Sequence, residues 1–323
     1  MTLLEVKDLS VVYQTRKGFI TALNNISFEL NRGNTLGLVG ESGCGKSTLG
    51  MALMRLLPEN ASIIKGNLFF ENQDLLKLTD DEIRQIRWKK ISMIFQAAMN
   101  ALNPVHRVAD QIMEAITTHN SSLLREAAIK QTEKLFDLVN IPKRRMTEYP
   151  HQYSGGMKQR AVIAMALACR PSLIIADEPT TALDVILQNQ ILESIKLFQK
   201  KLNLAILFIS HDIAVVADIC HDIGVMYAGE LIEYGDREKV LGSQVHPYTK
   251  TLISSYLTLI RDSRSLKPVQ DSTTSHISNP DLCCFLNYCP NSEKICRKQK
   301  PVWVELAPDH RVFCLLANKI YNG

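Results

Sequence analysis

Hydrophobic and polar positions change their period along this chain, and the changes outline its elements. Valine and leucine are dense from Leu3 to Tyr13, and Ile26 to Leu30 alternates before an Asn31-Arg32-Gly33 turn, both patterns of strands. Thr35 to Val39 is a short apolar run of the buried-strand kind, and Thr48 to Leu57 after it is rich in helix formers. Ile63 to Glu71 reads as a strand pair broken at Gly66. Thr79-Asp80-Asp81-Glu82 has capping-box spacing, which predicts a helix running to about Lys90, and a short buried strand, Ile91 to Phe95, follows. Helical periodicity dominates from Val108 to Ala168; within it, Ser122 to Val139 places Leu124, Ala128, Leu135 and Phe136 between charges. Strand (Leu173 to Ala176), helix (Ile186 to Leu202) and strand (Ala205 to Ile209) come next. That alternation predicts parallel pairing in an α/β core, with the helical block as an insertion. Beyond about Val240 the regularity fades, and Asp262 to Pro280, rich in Ser, Thr and Asp, reads as a linker or a wandering loop.

Composition narrows the class. The chain has 323 residues, enough for one large or two modest domains with a real core. A net charge of +4 is too mild to argue for nucleic acid. The longest apolar run, Ala161 to Cys169, is far too short to span a bilayer, and the N-terminus meets Glu5, Lys7 and Asp8 too early for a signal peptide. The expected location is the cytoplasm or the cytoplasmic side of a membrane. Cys44, Cys169 and Cys220 are isolated, whereas Cys283, Cys284, Cys289, Cys296 and Cys314 crowd the last segment. In a reducing compartment such crowding points to a metal more than to disulfides.

Residues 40 to 47 read Gly-Glu-Ser-Gly-Cys-Gly-Lys-Ser, the G-x-x-x-x-G-K-[ST] phosphate-binding motif without a mismatch, between a predicted strand and a predicted helix. Glycines let the backbone turn its N–H groups inward round phosphates, and the following helix N-terminus adds positive potential. Lys46 can then reach the β/γ-phosphates, and the Ser47 hydroxyl can ligate Mg²⁺. Leu173-Ile174-Ile175-Ala176-Asp177-Glu178 is an apolar strand ending in two carboxylates, one suited to the Mg²⁺ shell (Asp177) and one to polarising water as a general base (Glu178).

Ser154-Gly155-Gly156-Met157 opens a helix shortly before that strand. With the phosphate-binding motif, this combination resembles the ATP-binding cassette (ABC) ATPases over roughly residues 1 to 240. The family's signature is usually Leu-Ser-Gly-Gly-Gln; here Tyr153 and Met157 replace the outer residues and the Ser-Gly-Gly stays intact. The resemblance implies an α/β fold: a P-loop ATPase core with an antiparallel β subdomain and an inserted helical subdomain (about 97–168). A Cys-rich C-terminal extension over 241–323 would follow that 1–240 domain. It further implies nucleotide contacts from Tyr13 (stacked on adenine), Gly40, Ser42, Gly43, Cys44, Gly45, Lys46, Ser47, Thr48, Asp177 and, across a dimer, Ser154, Gly155 and Gly156. Gln96 would sense Mg²⁺ and contact membrane subunits, Ala182-Leu183-Asp184 would be the D-loop, and His211 would touch the γ-phosphate.

Tyr149-Pro150-His151-Gln152, Ala101-Leu102-Asn103-Pro104 and His246-Pro247-Tyr248-Thr249 resemble the ATPase subunits of dipeptide/oligopeptide importers, a branch that includes nickel importers. That likeness implies a second ATPase subunit, two membrane permeases and an external substrate-binding protein as partners. Import of nickel or another small solute, a soluble ABC ATPase of translation or repair, and an iron–sulfur redox protein with an ATP-driven switch are the rival readings. Cys283, Cys289, Cys296 and Cys314 are separated by five, six and seventeen residues, too far apart for the tight Cys-x₂₋₄-Cys turns of zinc knuckles. They suit a [4Fe–4S] cluster better, ahead of zinc or free thiols. The family's tail, Cys-x-Phe-x-x-Arg-Cys-Pro with a third cysteine and His-x-Val-x-Cys, aligns with the same four; Tyr288 stands in place of its Arg, and Cys284 is a bystander.

Overall fold

The computed structural model describes residues 1–96, 101–181, 183–261 and 281–322. Two compact units divide the chain: residues 1–76 together with 208–323, and residues 77–207.

The chain begins in the first unit with β1 (Thr2–Thr15) and β2 (Gly18–Asn31), an antiparallel pair. Next come β3 (Thr35–Val39), every residue of it buried, and α1 (Lys46–Leu53). The helix stops short of the expected Leu57 because Arg55 enters the left-handed region at φ 49 and the Leu56 amide bonds back to the Met51 carbonyl, a closure that satisfies late carbonyls. β4 (Ala61–Phe70) is one strand rather than a broken pair. Gly66, at φ 105, is absorbed as an irregularity in the pairing with β1, where a side chain would strike the Leu9 and Lys7 backbone. With β5 (Gln73–Asp74) these strands make an antiparallel sheet ordered β2–β1–β4–β5.

The second unit opens with α2 (Asp80–Ile86). Its predicted capping box is present: Thr79 Oγ1 accepts from the Glu82 amide, and Glu82 Oε2 accepts from the Thr79 amide at 2.8 Å. The helix ends four residues before Lys90, where Arg87 leaves helical geometry and Trp88 takes φ 65 while its indole N–H donates to the Met165 carbonyl. β6 (Ile91–Ile94) follows, then α3 (Val108–His119), α4 (Arg125–Leu138) and α5 (Gly155–Ala166), three mutually packed helices. α3 turns Val108, Ala109, Ile112, Ala115 and Ile116 inward, the i, i+4, i+7 spacing of one helix face. β7 (Leu173–Asp177) pairs in parallel with β6, and α6 (Val185–Leu202) runs to a left-handed Asn203.

Within β8 (Ala205–Ile209) the chain returns to the first unit and continues through α7 (Ile213–Ile219), β9 (Asp222–Tyr227) and β10 (Glu230–Asp236). β9 pairs in parallel with β3 and antiparallel with β10. Beyond residue 240 the structure is more regular than its sequence pattern: α8 (Arg237–Gly242), α9 (Pro247–Arg261), β11 (Trp303–Ala307), β12 (His310–Phe313) and α10 (Ala317–Asn322). The β11–β12 hairpin extends the first unit's sheet through β12 and β10. The expected linker, Asp262 to Pro280, lies outside the described residues.

A buried carboxylate fastens this tail. Glu233 on β10 is fully buried and accepts from the amides of Val245 (3.2 Å) and His246 (3.0 Å), while His310 Nε2 stands 2.9 Å from its Oε1. Arg311 lies between the rings of Tyr234 and Trp303, 4.8 Å from each, and donates to the Ser27 carbonyl on β2. Glu233→Ala would leave several buried donors without an acceptor, each costing about 1–3 kcal/mol. A loss of at least about 3 kcal/mol in denaturant unfolding is expected, and a midpoint equal to that of the wild type would contradict this account.

Candidate functional site

The loop between β3 and α1 is shaped by close backbone approach. A Cβ on Gly40, at φ 155, would sit 2.1 Å from the Met226 carbonyl oxygen, and one on Gly45, at φ 104, 2.5 Å from the Ala22 carbonyl oxygen. The loop therefore threads between β2 and the end of β9 where only glycine fits. Gly229, in the β9–β10 turn, joins both sides: its amide donates to the Cys44 carbonyl and its carbonyl accepts from the Asn24 amide. Inside the loop, buried Lys46 donates to the carbonyls of Gly40 (2.7 Å) and Glu41 (2.8 Å). α1 starts at Gly45 with no side-chain cap, so its first-turn amides are free of competition from a capping residue. Ser42 and Gly43 are exposed, Ser47 and Thr48 half-buried. This cradle, a cation at its base and an uncapped helix start, has the chemistry of a polyphosphate site. Tyr13 stands beside it, its hydroxyl 3.4 Å from Thr48 Oγ1. Cys44 is buried next to Lys46, and burial pushes its thiol pKa up. In the same unit His211 is exposed just after β8, where the Ser210 amide bonds the Leu38 carbonyl.

In the second unit, β7 delivers buried Asp177 and, immediately after it, Glu178 in the left-handed region at φ 47. A non-glycine residue there stores strain, a frequent mark of a working position. Glu178 Oε2 accepts from Gln96 Nε2 (3.0 Å) and from Thr181 Oγ1 (2.9 Å), so the two residues implied for catalysis in this unit already touch. Ser154 caps α5 by accepting from the Met157 amide at 3.3 Å; it and Gly155 are exposed, while Gly156 packs against Leu187. Asp184 caps α6 through the Leu187 amide, and Ala182 of the expected D-loop lies outside the described residues. Sequence reasoning missed Thr181 and buried Gln159, which donates to the Pro179 carbonyl; both lie within a few residues of motifs that were read.

Cys283, Cys289, Cys296 and Cys314 line one cavity with His246 and Leu286; Cys284 does not line it and meets both Cys283 and Glu230. A hydrogen bond from Cys284, helped by His246, pulls the Cys283 thiol pKa down. Burial pushes that of Cys314 up to about 11, and the three neighbouring cysteines add to it. Among the described residues, no group of three or more His, Cys, Asp or Glu side chains could hold a metal ion. Nor is any described helix long and apolar enough to cross a membrane.

Comparison with known proteins agrees with these features. Residues 23–181 match the family model described as ABC transporter, and residues 232–296 match that described as oligopeptide/dipeptide transporter, C-terminal region. The chain is 43% identical to the dipeptide transport ATP-binding protein DppD of Bacillus subtilis over 98% of this chain and 95% of that one. It is 42% identical to the oligopeptide transport ATP-binding protein OppD of Escherichia coli over 93% and 89% respectively. The structure resembles the dimeric post-hydrolysis state of the ATP-binding cassette MJ0796 bound to ADP and Pi, with TM-score 0.66 and 26% identity, covering 73% of this chain and 99% of that one.

Two of the loop's positive-φ glycines, Gly43 and Gly45, differ in surroundings, which gives a test. A Cβ at Gly43 would meet nothing within 4 Å, whereas one at Gly45 would meet a carbonyl oxygen. Gly45→Ala is expected to weaken MgATP binding by at least about 100-fold in titration calorimetry, and Gly43→Ala by about tenfold or less, the cost of backbone strain alone. Equal losses would show that the Ala22 contact does not shape the loop.

Proposed function

The chain belongs to the ATP-binding proteins of oligopeptide/dipeptide ABC transporters, and from that premise we propose that it hydrolyses ATP to power a peptide importer. The observation that carries this reading is the glycine cradle round Lys46 in a chain whose C-terminal region matches the oligopeptide/dipeptide type. Lys46 and the α1 amides hold the β/γ-phosphates, with Gly40, Ser42, Gly43, Cys44, Gly45 and Thr48 shaping the loop and Tyr13 against the base. Mg²⁺, when bound, neutralises phosphate charge, with Ser47, Asp177 and Gln96 as its holders. Glu178 accepts the proton of the attacking water, Gln96 and Thr181 orient its carboxylate, and His211 faces the γ-phosphate. Ser154, Gly155 and Gly156 present a helix start, exposed at Ser154 and Gly155, to nucleotide held by a second ATPase subunit, so that ATP joins the two and hydrolysis releases them. Permease subunits and an external binding protein complete the assembly, with this chain on the cytoplasmic face. We read residues 1–240 as the ATPase domain, with the helical subdomain at about 97–168, and 241–323 as a Cys-rich extension.

For that extension we propose a [4Fe–4S] cluster held by Cys283, Cys289, Cys296 and Cys314. Their lining of one cavity, which Cys284 does not line, supports the assignment.

Two measurements test these readings. Glu178→Gln keeps the shape of the side chain without its basicity. It is expected to retain MgATP binding while the ATPase rate of the reconstituted transporter, and its ATP-dependent peptide uptake, fall by roughly 10²- to 10⁴-fold. Hydrolysis near the wild-type rate would remove Glu178 from the role of base. Purified without oxygen, the chain should carry iron and acid-labile sulfide in near-equal amounts and absorb in the visible. Serine at any of the four cysteines should bleach it, and Cys284→Ser should not; a colourless, zinc-loaded protein would overturn the cluster.

A further inference from the structure

The His246-Pro247-Tyr248 turn means little as a string, since a proline simply favours an extended residue before it. In the structure, each of its two side chains with polar groups has a specific partner. Tyr248, at the start of α9, is 2% exposed, and its hydroxyl accepts from the backbone amide of Glu41 at 3.1 Å, at the residue directly after Gly40 in the phosphate-binding loop. No regular element supplies that amide with a partner, and Glu41 is also one of the two carbonyl acceptors of Lys46. Its ring packs on Tyr227 at the end of β9 (centroids 4.6 Å apart) and edge-on to Phe285 (5.5 Å). Phe285 also meets Tyr227 at 5.2 Å and His246 at 5.8 Å. It follows Cys283 and Cys284 directly in the chain, and the turn that carries it is closed by the Leu286 amide on the Cys283 carbonyl. His246, 1% exposed, accepts the Tyr248 amide at Nδ1 and lines the cysteine cavity with its ring.

We propose that Tyr248 is a positioning residue of the phosphate-binding loop, and that the Phe285 ring behind it ties the loop's geometry to the cysteine-lined segment. The inference rests on the reading of residues 40–48 as the nucleotide site. The three rings of Tyr227, Tyr248 and Phe285 form a short, stiff strut, because each ring is fixed by two others and tilted or edge-on contacts resist sliding. One end of the strut carries a hydrogen bond to the loop backbone; the other is bonded covalently to the cysteines. Burial keeps the phenol protonated throughout the working pH range, so the hydroxyl remains a steady acceptor. Disorder at the cysteine segment is therefore felt first as a loosening of Glu41 and of the carbonyls that seat Lys46.

The test uses the full-length purified chain and MgATP. Tyr248→Phe removes one oxygen and keeps the ring stack. It is expected to weaken MgATP binding by about three- to tenfold, the size of one hydrogen bond, and to speed amide exchange in the 40–48 peptide while the melting midpoint barely moves. Phe285→Leu keeps the hydroxyl but removes its backing, and should shift the same two readouts in the same direction. Unchanged affinity and loop exchange in Tyr248→Phe would overturn the positioning role. So would a uniform rise in exchange across the first unit with a lowered melting midpoint, which marks a merely structural residue. A loop that responds to Tyr248→Phe but not to Phe285→Leu would overturn the tie to the cysteines. Lys46→Ala measured alongside separates the premises: if it binds MgATP as well as the wild type, the nucleotide-site reading fails and the positioning role of Tyr248 falls with it, whereas a loss in Lys46→Ala without one in Tyr248→Phe overturns the positioning role alone.

Discussion

The first unit depends on how tightly its phosphate-binding loop is wrapped. Gly40 presses on the Met226 carbonyl and Gly45 on the Ala22 carbonyl, at distances that exclude any side chain. Gly229 then closes the arrangement with one hydrogen bond to the loop and one to β2. The antiparallel sheet and the sheet containing β3 thus meet at the loop through backbone rather than through side chains. Tyr13 is brought to Thr48 beside the same loop, its hydroxyl 3.4 Å from Oγ1. Backbone-to-backbone seating of this kind tolerates almost no added bulk at Gly40 and Gly45.

A second, more local constraint holds the tail. Glu233 is a carboxylate with no exposure to water, kept there by two amides and His310. Burial of such a group is costly unless its lone pairs are filled, and here the fillers are the residues that begin the His246-Pro247-Tyr248 turn and the β12 strand. One side chain therefore positions both the aromatic strut and the hairpin whose apolar contacts (Val245, Val312 and Ala317) form a small core of their own. A segment with so little apolar area gains most from interactions of this directional kind.

Much of this was legible in the chain. β3 and β8 fall on their predicted bounds because a continuous apolar run between turn residues leaves few alternatives. The Thr79 capping box marks a helix start by a mechanism that needs only four residues. Helix ends were harder: two residues beyond α1 and α2 the chain takes positive φ, at Arg55 and Trp88, whose side chains do not advertise that conformation. Beyond residue 240 the pattern failed. The tail's strands are four or five residues long and draw their order from Glu233 and Arg311, contacts that link residues far apart in sequence and leave no periodic trace. The catalytic motifs were readable as strings, but the touch between Gln96, Thr181 and Glu178 was not, since loop residues have no period to betray them. Tyr248 was readable only as part of a resemblance, because its partner is a backbone amide over two hundred residues away.

Ser154 carries a consequence for chemical selectivity. Its oxygen already accepts the Met157 amide, and that N–H, pointing into one lone pair, turns the O–H bond away from the helix. Of the serine's two lone pairs one is thereby taken, while its proton stays free to be given, so the hydroxyl keeps its full capacity to donate and half its capacity to accept. Two further amides at the start of α5 add donors and no acceptor. The surface at this helix start is consequently weighted toward donors: it favours oxygen atoms that only accept, such as those of a phosphate, over a hydroxyl or amine that arrives proton-first and finds a single remaining lone pair. Discrimination of that sort requires no side-chain charge, so it persists at ionic strengths that would screen a lysine or an arginine in the same place.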